Sequence, residues 1–337
     1  PTMSLFKSIS IISFTTLSLG LGACQKTENK TQNENTTVAE KTTEEDLKKV
    51  SIGFQKSSLN LLVTREQKLL EQAFPNAQIE WLEFPAGPQM LEALAVGAVD
   101  FGAVGNTPPI FAQSAHKDLT YAAYEVYPQN GLALVLPTQS QIQNISELKG
   151  KRIALQKGSS AHEFLAKVLQ KAGLSWQDIE PIWLPPADAR AAFDKGSVDA
   201  WAIWDPYLAA VELTGYVKVL IDGNAFPQTY AYYIANPTFT KAHPQATNKV
   251  IKSLNDADQW ILNNHSHALA LYANSTGLTT EVAKRALDRR LKPSPVRLLN
   301  QETVQSQQKI ADLFYSEKLI PKQINVQDAV LNLAPQQ

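Results

Sequence analysis

Two stretches about a hundred residues apart share one layout, and this repeat narrows the possible folds more than any other feature of the chain. Leu91-Glu-Ala-Leu-Ala-Val-Gly97-Ala-Val-Asp100-Phe-Gly-Ala-Val104 matches Ala191-Ala-Phe-Asp-Lys-Gly196-Ser-Val-Asp199-Ala-Trp-Ala-Ile203. Each reads as a helix, a glycine turn, Val-Asp, a buried strand and then a proline-containing helix start. Gly97 and Gly196 fit the left-handed position that ends a helix. Two equivalent lobes are the simplest account, with a cleft between them where strand C-termini and helix N-termini meet.

The rest of the periodicity agrees. From Val50 onward it predicts strands at 50–54, 79–84, 100–104, 121–126, 131–136, 152–156, 180–184, 200–203 and 229–235. Helices are predicted over 58–73, 88–96, from 108, over 160–172, 187–195, 243–264, 266–274, 279–290 and 301–317. Alternating strands and helices imply an α/β protein with largely parallel sheets covered on both faces. Crossings between lobes are expected near Pro128–Gly131 and Asn236–Pro237. Residues 50–128 plus 236–330 would then form one lobe and 129–235 the other.

The first 49 residues read differently. Lys7 precedes an apolar run, Ile9 to Ala23, that ends Leu21-Gly22-Ala23-Cys24. That is the layout of a signal peptide over residues 1–23, and the run is shorter than the roughly 20 apolar residues of a membrane-spanning helix. Leu-Gly-Ala-Cys resembles the lipobox of bacterial lipoproteins, which makes Cys24 the expected lipidation site; an ordinary secretory peptide is the other reading. Residues 24–49, rich in Thr, Asn, Glu and Lys, bury too little to offset ordering entropy and read as a flexible tether.

Composition excludes several classes of function. With 31 basic and 32 acidic residues the chain lacks the basic excess that a nucleic-acid binder carries. Its single cysteine rules out an internal disulfide framework and multi-thiolate metal sites. No metal or other cofactor is expected.

Three strand-to-helix junctions have the chemistry to hold an anion: Gln55-Lys56-Ser57-Ser58, Gly105-Asn106-Thr107-Pro108-Pro109 and Lys157-Gly158-Ser159-Ser160. A helix N-terminus presents unpaired N–H groups and partial positive charge, and a hydroxyl adds a donor. Any one of these is also an ordinary helix cap; three of them in two lobes suggest one shared anion site.

Longer motifs carry a family resemblance. Gln55-Lys56-Ser57, Glu83-Phe-Pro-Ala-Gly-Pro-Gln89, Val99-Asp-Phe-Gly, Gly105 to Pro109 and Leu184-Pro-Pro-Ala-Asp-Ala-Arg-Ala-Ala192 resemble the aliphatic sulfonate-binding proteins of ABC importers. So do Val198-Asp-Ala-Trp-Ala-Ile-Trp-Asp-Pro-Tyr207 and Arg285-Ala-Leu-Asp-Arg-Arg290. The resemblance implies a two-lobed periplasmic-binding-protein fold of type II, closing on an alkanesulfonate anion. It also implies an ABC permease as partner, an extracytoplasmic location, a monomer and no catalysis. Ser58-Leu59-Asn60 replaces an expected glycine-containing turn, and Asn106 stands where the family often has an acid. Taurine, nitrate or another small anion is the alternative cargo.

Other residues keep two readings each. Trp204 and Tyr207 would line the cleft around the organic tail, while Asp205-Pro206 also reads as an N-cap and first helical residue. Arg190 is either a sulfonate partner or an ion-pair partner, and His162 either a donor to the anion or a solvent-facing ring. Phe84 and Tyr124 belong to the core or the cleft rim. An enzyme on the same fold, such as a pyrimidine synthase or a hydrolase using Ser159 with His162, would need an orienting acid that the sequence does not show.

Overall fold

A computed structural model describes residues 47–332, which lie within one compact unit. The expected signal peptide, Cys24 and nearly all of the tether fall outside the described residues. Ten strands run β1 (Lys49–Phe54), β2 (Gln78–Glu83), β3 (Phe101–Val104), β4 (Thr120–Val126), β5 (Leu132–Pro137), β6 (Arg152–Leu155), β7 (Glu180–Trp183), β8 (Ala200–Trp204), β9 (Val217–Asp222) and β10 (Tyr230–Ala235). Among them lie α1 (Leu59–Glu66), α2 (Leu69–Ala73), α3 (Gly87–Ala95), α4 (Thr107–Ser114), α5 (Ser160–Ala172), α6 (Pro186–Asp194) and α7 (Tyr207–Glu212). The chain then turns helical: α8 (Pro237–Ala242), α9 (Ala246–Asn263), α10 (His265–Thr276), α11 (Thr280–Arg289) and α12 (Gln301–Ser316).

The strands form two five-stranded sheets, β2-β1-β3-β10-β4 and β7-β6-β8-β5-β9. In each, three parallel strands are followed by an antiparallel fourth and then an edge strand antiparallel to that fourth. The chain leaves the first sheet from its edge strand β4 and enters the second at its fourth position, β5. It returns from the edge strand β9 to the first sheet's fourth position, β10. The mixed α/β fold of two lobes agrees with the sequence.

The repeat has a local cause visible in both lobes. Gly97 and Gly196, at φ +77° and +71°, end α3 and α6 in the left-handed conformation. The next amide folds back in each case, Ala98 N to Ala93 O and Ser197 N to Ala192 O, both 2.9 Å. The aspartate two residues on then clamps the neighbouring parallel strand. Ser51 N donates to Asp100 Oδ2 and Arg152 N to Asp199 Oδ2, both 2.8 Å, while Asp100 N and Asp199 N donate back to Ser51 O and Arg152 O. A carboxylate at this position sets the register between two strands, which is why Val-Asp precedes the buried strand twice.

Three expectations need correction. The second crossing is not at Asn236–Pro237: β10 is hydrogen-bonded between β3 and β4, so the chain recrosses over residues 223–229 and β10 belongs to the first lobe. An apolar strand reads alike in either sheet, and only pairing decides which one it joins. The single helix over 58–73 is two, broken where Lys68 takes φ +51°. Strand β9, half-exposed and alternating weakly, and the short α8 were not anticipated.

The crossings are tied to one another. Gln129 Nε2 donates to the carbonyls of Phe226 (2.6 Å) and Gly223 (3.3 Å), and Gln228 Nε2 donates to Tyr127 O at 2.8 Å. Both connections therefore act as one joint.

Candidate functional site

One cleft is lined from both lobes by the C-terminal ends of β1, β3 and β4, the first residues of α5, the end of β8 and the far end of α11. Of the expected ligand residues, Gln55, Ser57, Ser58, Gly105, Ser159, Ser160, Trp204 and Asp205 line it. The first junction is a tight turn: Ser58 N donates to Gln55 O at 2.9 Å and Ser58 Oγ accepts from Gln55 N at 3.3 Å. At the third, Ser159 Oγ donates to Gln156 O at 2.7 Å, and Ser160 opens the thirteen-residue helix α5.

The lobes meet across Gly105. A Cβ on this residue would lie 1.8 Å from Ser160 Oγ and 3.1 Å from Ser160 Cβ. The two helix starts touch, so the described form is closed. Asn106, 3% exposed, supports this contact from behind: its Nδ2 donates to Glu163 Oε2 at 3.4 Å, across the lobe boundary, and its carbonyl accepts from Gln307. Thr107, fully buried, donates its hydroxyl to Asn106 Oδ1 at 2.9 Å. Neither side chain lines the cleft. Pro108 and Pro109 supply no N–H, so the start of α4 contributes its dipole and few donors.

Four further expectations are not met by the geometry. Arg190 is outside the lining and donates to Asp194 one turn on, at 2.8 Å. Tyr207 packs edge-on against Trp204 outside the lining. Pro206 occupies the cap position of α7 rather than its first turn, with Asp205 Oδ1 accepting from Ala209 N at 3.0 Å. Gly158 spends its N–H on His162 Nδ1 at 3.1 Å.

His162 is neither a cleft donor nor a solvent-facing ring. It is 1% exposed and sits between lobes, with Phe111, Trp176, Trp183 and Phe314 around it at centroid distances of 4.9–5.5 Å. Phe111 and Phe314 come from the first lobe, the others from the second. Trp176 Nε1 donates across the boundary to Glu317 Oε2 at 2.9 Å. Since Nδ1 accepts a hydrogen bond, the neutral ring carries its proton on Nε2. Among the described residues no oxygen or nitrogen partners that atom, which sits within a shell of aromatic rings, Trp176 standing near-perpendicular to the imidazole. Burial, with Lys157 nearby, depresses the pKa from 6.5 to about 3. The ring stays neutral across physiological pH and adds no slope to anion affinity there. Ser159 and His162, bonded elsewhere, form no nucleophile–base dyad.

At the far end, the cleft joins Arg290, from the Arg285–Arg290 motif, to Asn60, Glu125 and Ser294, which no motif singled out as site residues. Arg290 Nη2 donates to Asp258 Oδ1 and Asn60 Oδ1, both at 2.7 Å. Glu125 accepts from Asn60 Nδ2 (3.0 Å), Ser294 Oγ (3.3 Å) and the Tyr233 hydroxyl (3.2 Å). Burial raises the Glu125 pKa, although Arg290 opposes the shift. Arg289 Nη1 reaches Asp205 Oδ1 at 2.9 Å and its Nη2 pairs with Glu212, while burial lifts Asp205 to about 6. A signal for these residues was present. Asn60 and Glu125 are lone polar side chains inside apolar runs, the pattern that marks a buried polar group with a purpose.

Comparison with known proteins agrees with this architecture. The model of the family described as NMT1/THI5 like matches residues 79–268. The chain belongs to that family. An Escherichia coli (strain K12) relative described as an aliphatic sulfonates-binding protein is 42% identical over 83% of this chain and 87% of its own length. The Xanthomonas axonopodis pv. citri alkanesulfonate-binding protein SsuA, solved bound to MOPS, superposes with TM-score 0.81 at 41% identity, over 84% of this chain and 97% of that one. The periplasmic aliphatic sulphonate binding protein SsuA from Escherichia coli gives 0.77 at 41% identity, with the same coverage.

Proposed function

We propose that this chain captures aliphatic sulfonates in the interlobe cleft and delivers them to the permease of an ABC importer. One observation carries the reading: donor-bearing turns from both lobes, at Gln55–Ser58, Gly105 and Ser159–Ser160, converge on one closed cleft. A sulfonate spreads one permanent negative charge over three oxygens and offers no proton, which suits neutral donors at a helix start. Charge-assisted hydrogen bonds of roughly 1.5–3 kcal/mol each, with about 0.8 kcal/mol per buried CH₂ of the tail, suffice for binding near −8 kcal/mol, or micromolar. The two SsuA structures, one with a sulfonate bound, support the same ligand class.

Calorimetry with C2–C6 alkanesulfonates, sulfate and nitrate tests this. Micromolar sulfonate binding without turnover is expected, with inorganic anions at least tenfold weaker; preference for nitrate or sulfate, or consumption of the ligand, would refute it. Absence of a Ser159–His162 dyad supports a binder rather than a hydrolase.

The protein acts as a monomer outside the cytoplasm. The lipobox-like Leu21-Gly-Ala-Cys24 supports a lipid anchor with the residues up to 46 as tether, shorter than the sequence implied because Leu47 is buried in the core and Lys49 opens β1. Cys24→Ser is expected to move the protein from the membrane to the soluble fraction with sulfonate affinity retained. A wild type already soluble in the native host sinks the anchor.

A further inference from the structure

The cleft is polar at both ends, and its far end is built around a carboxylate, Glu125, that has no salt-bridge partner among the described residues although the Arg290 charge lies near it. Glu125 is the penultimate residue of β4, two strand positions beyond β3 in the first sheet, about 10 Å along the sheet edge from Gly105. Its side chain lines the cleft with Asn60, Ser294 and Arg290. Its hydrogen-bond donors are all neutral: Asn60, Ser294 and Tyr233. Among the described residues no lysine or arginine forms a salt bridge with it. The nearest guanidinium, Arg290, gives Nη2 to Asp258 and Asn60 instead, and Asp258 is further held by the Ser294 amide at 3.1 Å. Next along the wall, Asp205 and Glu212 are already matched by Arg289.

A carboxylate removed from water without a counterion is costly, and either a proton or a cation relieves it. Burial favours the protonated acid, while the converging donors and the nearby Arg290 charge favour the carboxylate. A cation from the ligand completes the arrangement.

Resting on the reading of the cleft as a sulfonate site, we infer that Glu125 selects sulfonates carrying an ammonium group on the tail, the anionic head at the helix starts and the ammonium at Glu125. Burial raises the pKa of Glu125 against the opposing charge of Arg290, and an ammonium beside the carboxylate would offset that burial further. The cleft therefore discriminates by the far end of its ligand, where a plain alkyl tail would leave the carboxylate both desolvated and unpaired.

The test uses two probes of matched length, 3-aminopropanesulfonate and 1-butanesulfonate, titrated calorimetrically into the mature protein and its Glu125→Gln variant. Wild type is expected to bind the amine at least tenfold more tightly. Glu125→Gln is expected to weaken the amine at least tenfold and to tighten the alkane several-fold, a crossing that general destabilisation cannot mimic. Wild-type affinities within threefold, preference for the alkane, or equal effects of Glu125→Gln on both probes overturn the inference. If neither probe binds wild type, the sulfonate reading falls and this inference with it; if both bind equally, only this inference falls.

Should Glu125→Gln not fold, the wild-type preference is followed with pH, since neither ligand titrates between pH 4.5 and 8. Protonating Glu125 removes the ammonium's partner, so the preference is expected to shrink as pH falls. The other groups facing Glu125 are Arg290 from the end of α11, Asp258 from α9 and Tyr233 from β10, with Asp205 and Arg289 beyond. Asp205, which burial lifts to about 6, titrates in the same range and also favours the ammonium, so the pH series is repeated with Asp205→Asn, where a preference that still shrinks as pH falls belongs to Glu125. A preference constant across that range overturns the inference.

Discussion

Gly105→Val is expected to weaken sulfonate binding by a hundredfold or more while leaving each lobe folded. The reason is steric and lies in the contact between the lobes. A Cβ at Gly105 would stand 1.8 Å from Ser160 Oγ and 3.1 Å from Ser160 Cβ. Alanine lets the Ser160 hydroxyl swing aside and tightens the remaining contact by only a few tenths of an ångström, so Gly105→Ala should lose about tenfold. Valine adds two methyl groups with a stiff χ1 and holds the helix starts apart. An anion bridged by donors from both lobes then keeps those of one, and a hundredfold loss corresponds to about 2.8 kcal/mol, one to two such hydrogen bonds. Ser160→Gly in the Gly105→Ala background should restore part of the affinity. A Kd for Gly105→Val within threefold of wild type would show that the lobes do not need to meet here.

Arg290→Ala is expected to produce the largest loss of stability, of order 3–5 kcal/mol, because it strands Asp258 as an unpaired buried charge. The two side chains are 11% and 2% exposed, and the Asp258 carboxylate also anchors the Ser294 amide. For a chain of this size the melting temperature should fall by roughly 10 °C. Asp258→Asn added to Arg290→Ala should recover much of that loss, since the pair is coupled. A fall of less than about 2 °C for Arg290→Ala, or no recovery in the double variant, would mean that Asp258 finds compensation elsewhere.

Much of the fold was readable because its rules are local. The Gly97/Val99-Asp100 and Gly196/Val198-Asp199 repeat encodes a turn and a strand clamp within ten residues, and the structure repeats both hydrogen-bond for hydrogen-bond. Strand β10 was found and assigned to the wrong lobe, because Tyr-Ala-Tyr-Tyr-Ile-Ala states that it is buried and not between which neighbours. Gln55, Ser57, Ser58, Gly105, Ser159 and Ser160 could be placed at the cleft from the sequence, since strand-to-helix junctions lie at the end of each sheet that faces the other lobe. His162 could not be placed in this way. One turn into α5, its direction is set by Phe111 and Phe314, which approach from elsewhere in the chain. Arg290, Asp258 and Glu125 meet from 125 to 290 in sequence and are bound only by tertiary packing, beyond the reach of spacing arguments.

The seam around His162 also bears on time. Phe111 and Phe314 on one side, and His162, Trp176 and Trp183 on the other, must separate and become wet before a captured molecule can leave, and the Trp176–Glu317 hydrogen bond must break with them. None of these groups meets the arriving ligand, so the encounter rate is indifferent to them. Their grip is felt on departure, which gives this protein a way to lengthen residence without changing a single atom that touches its cargo.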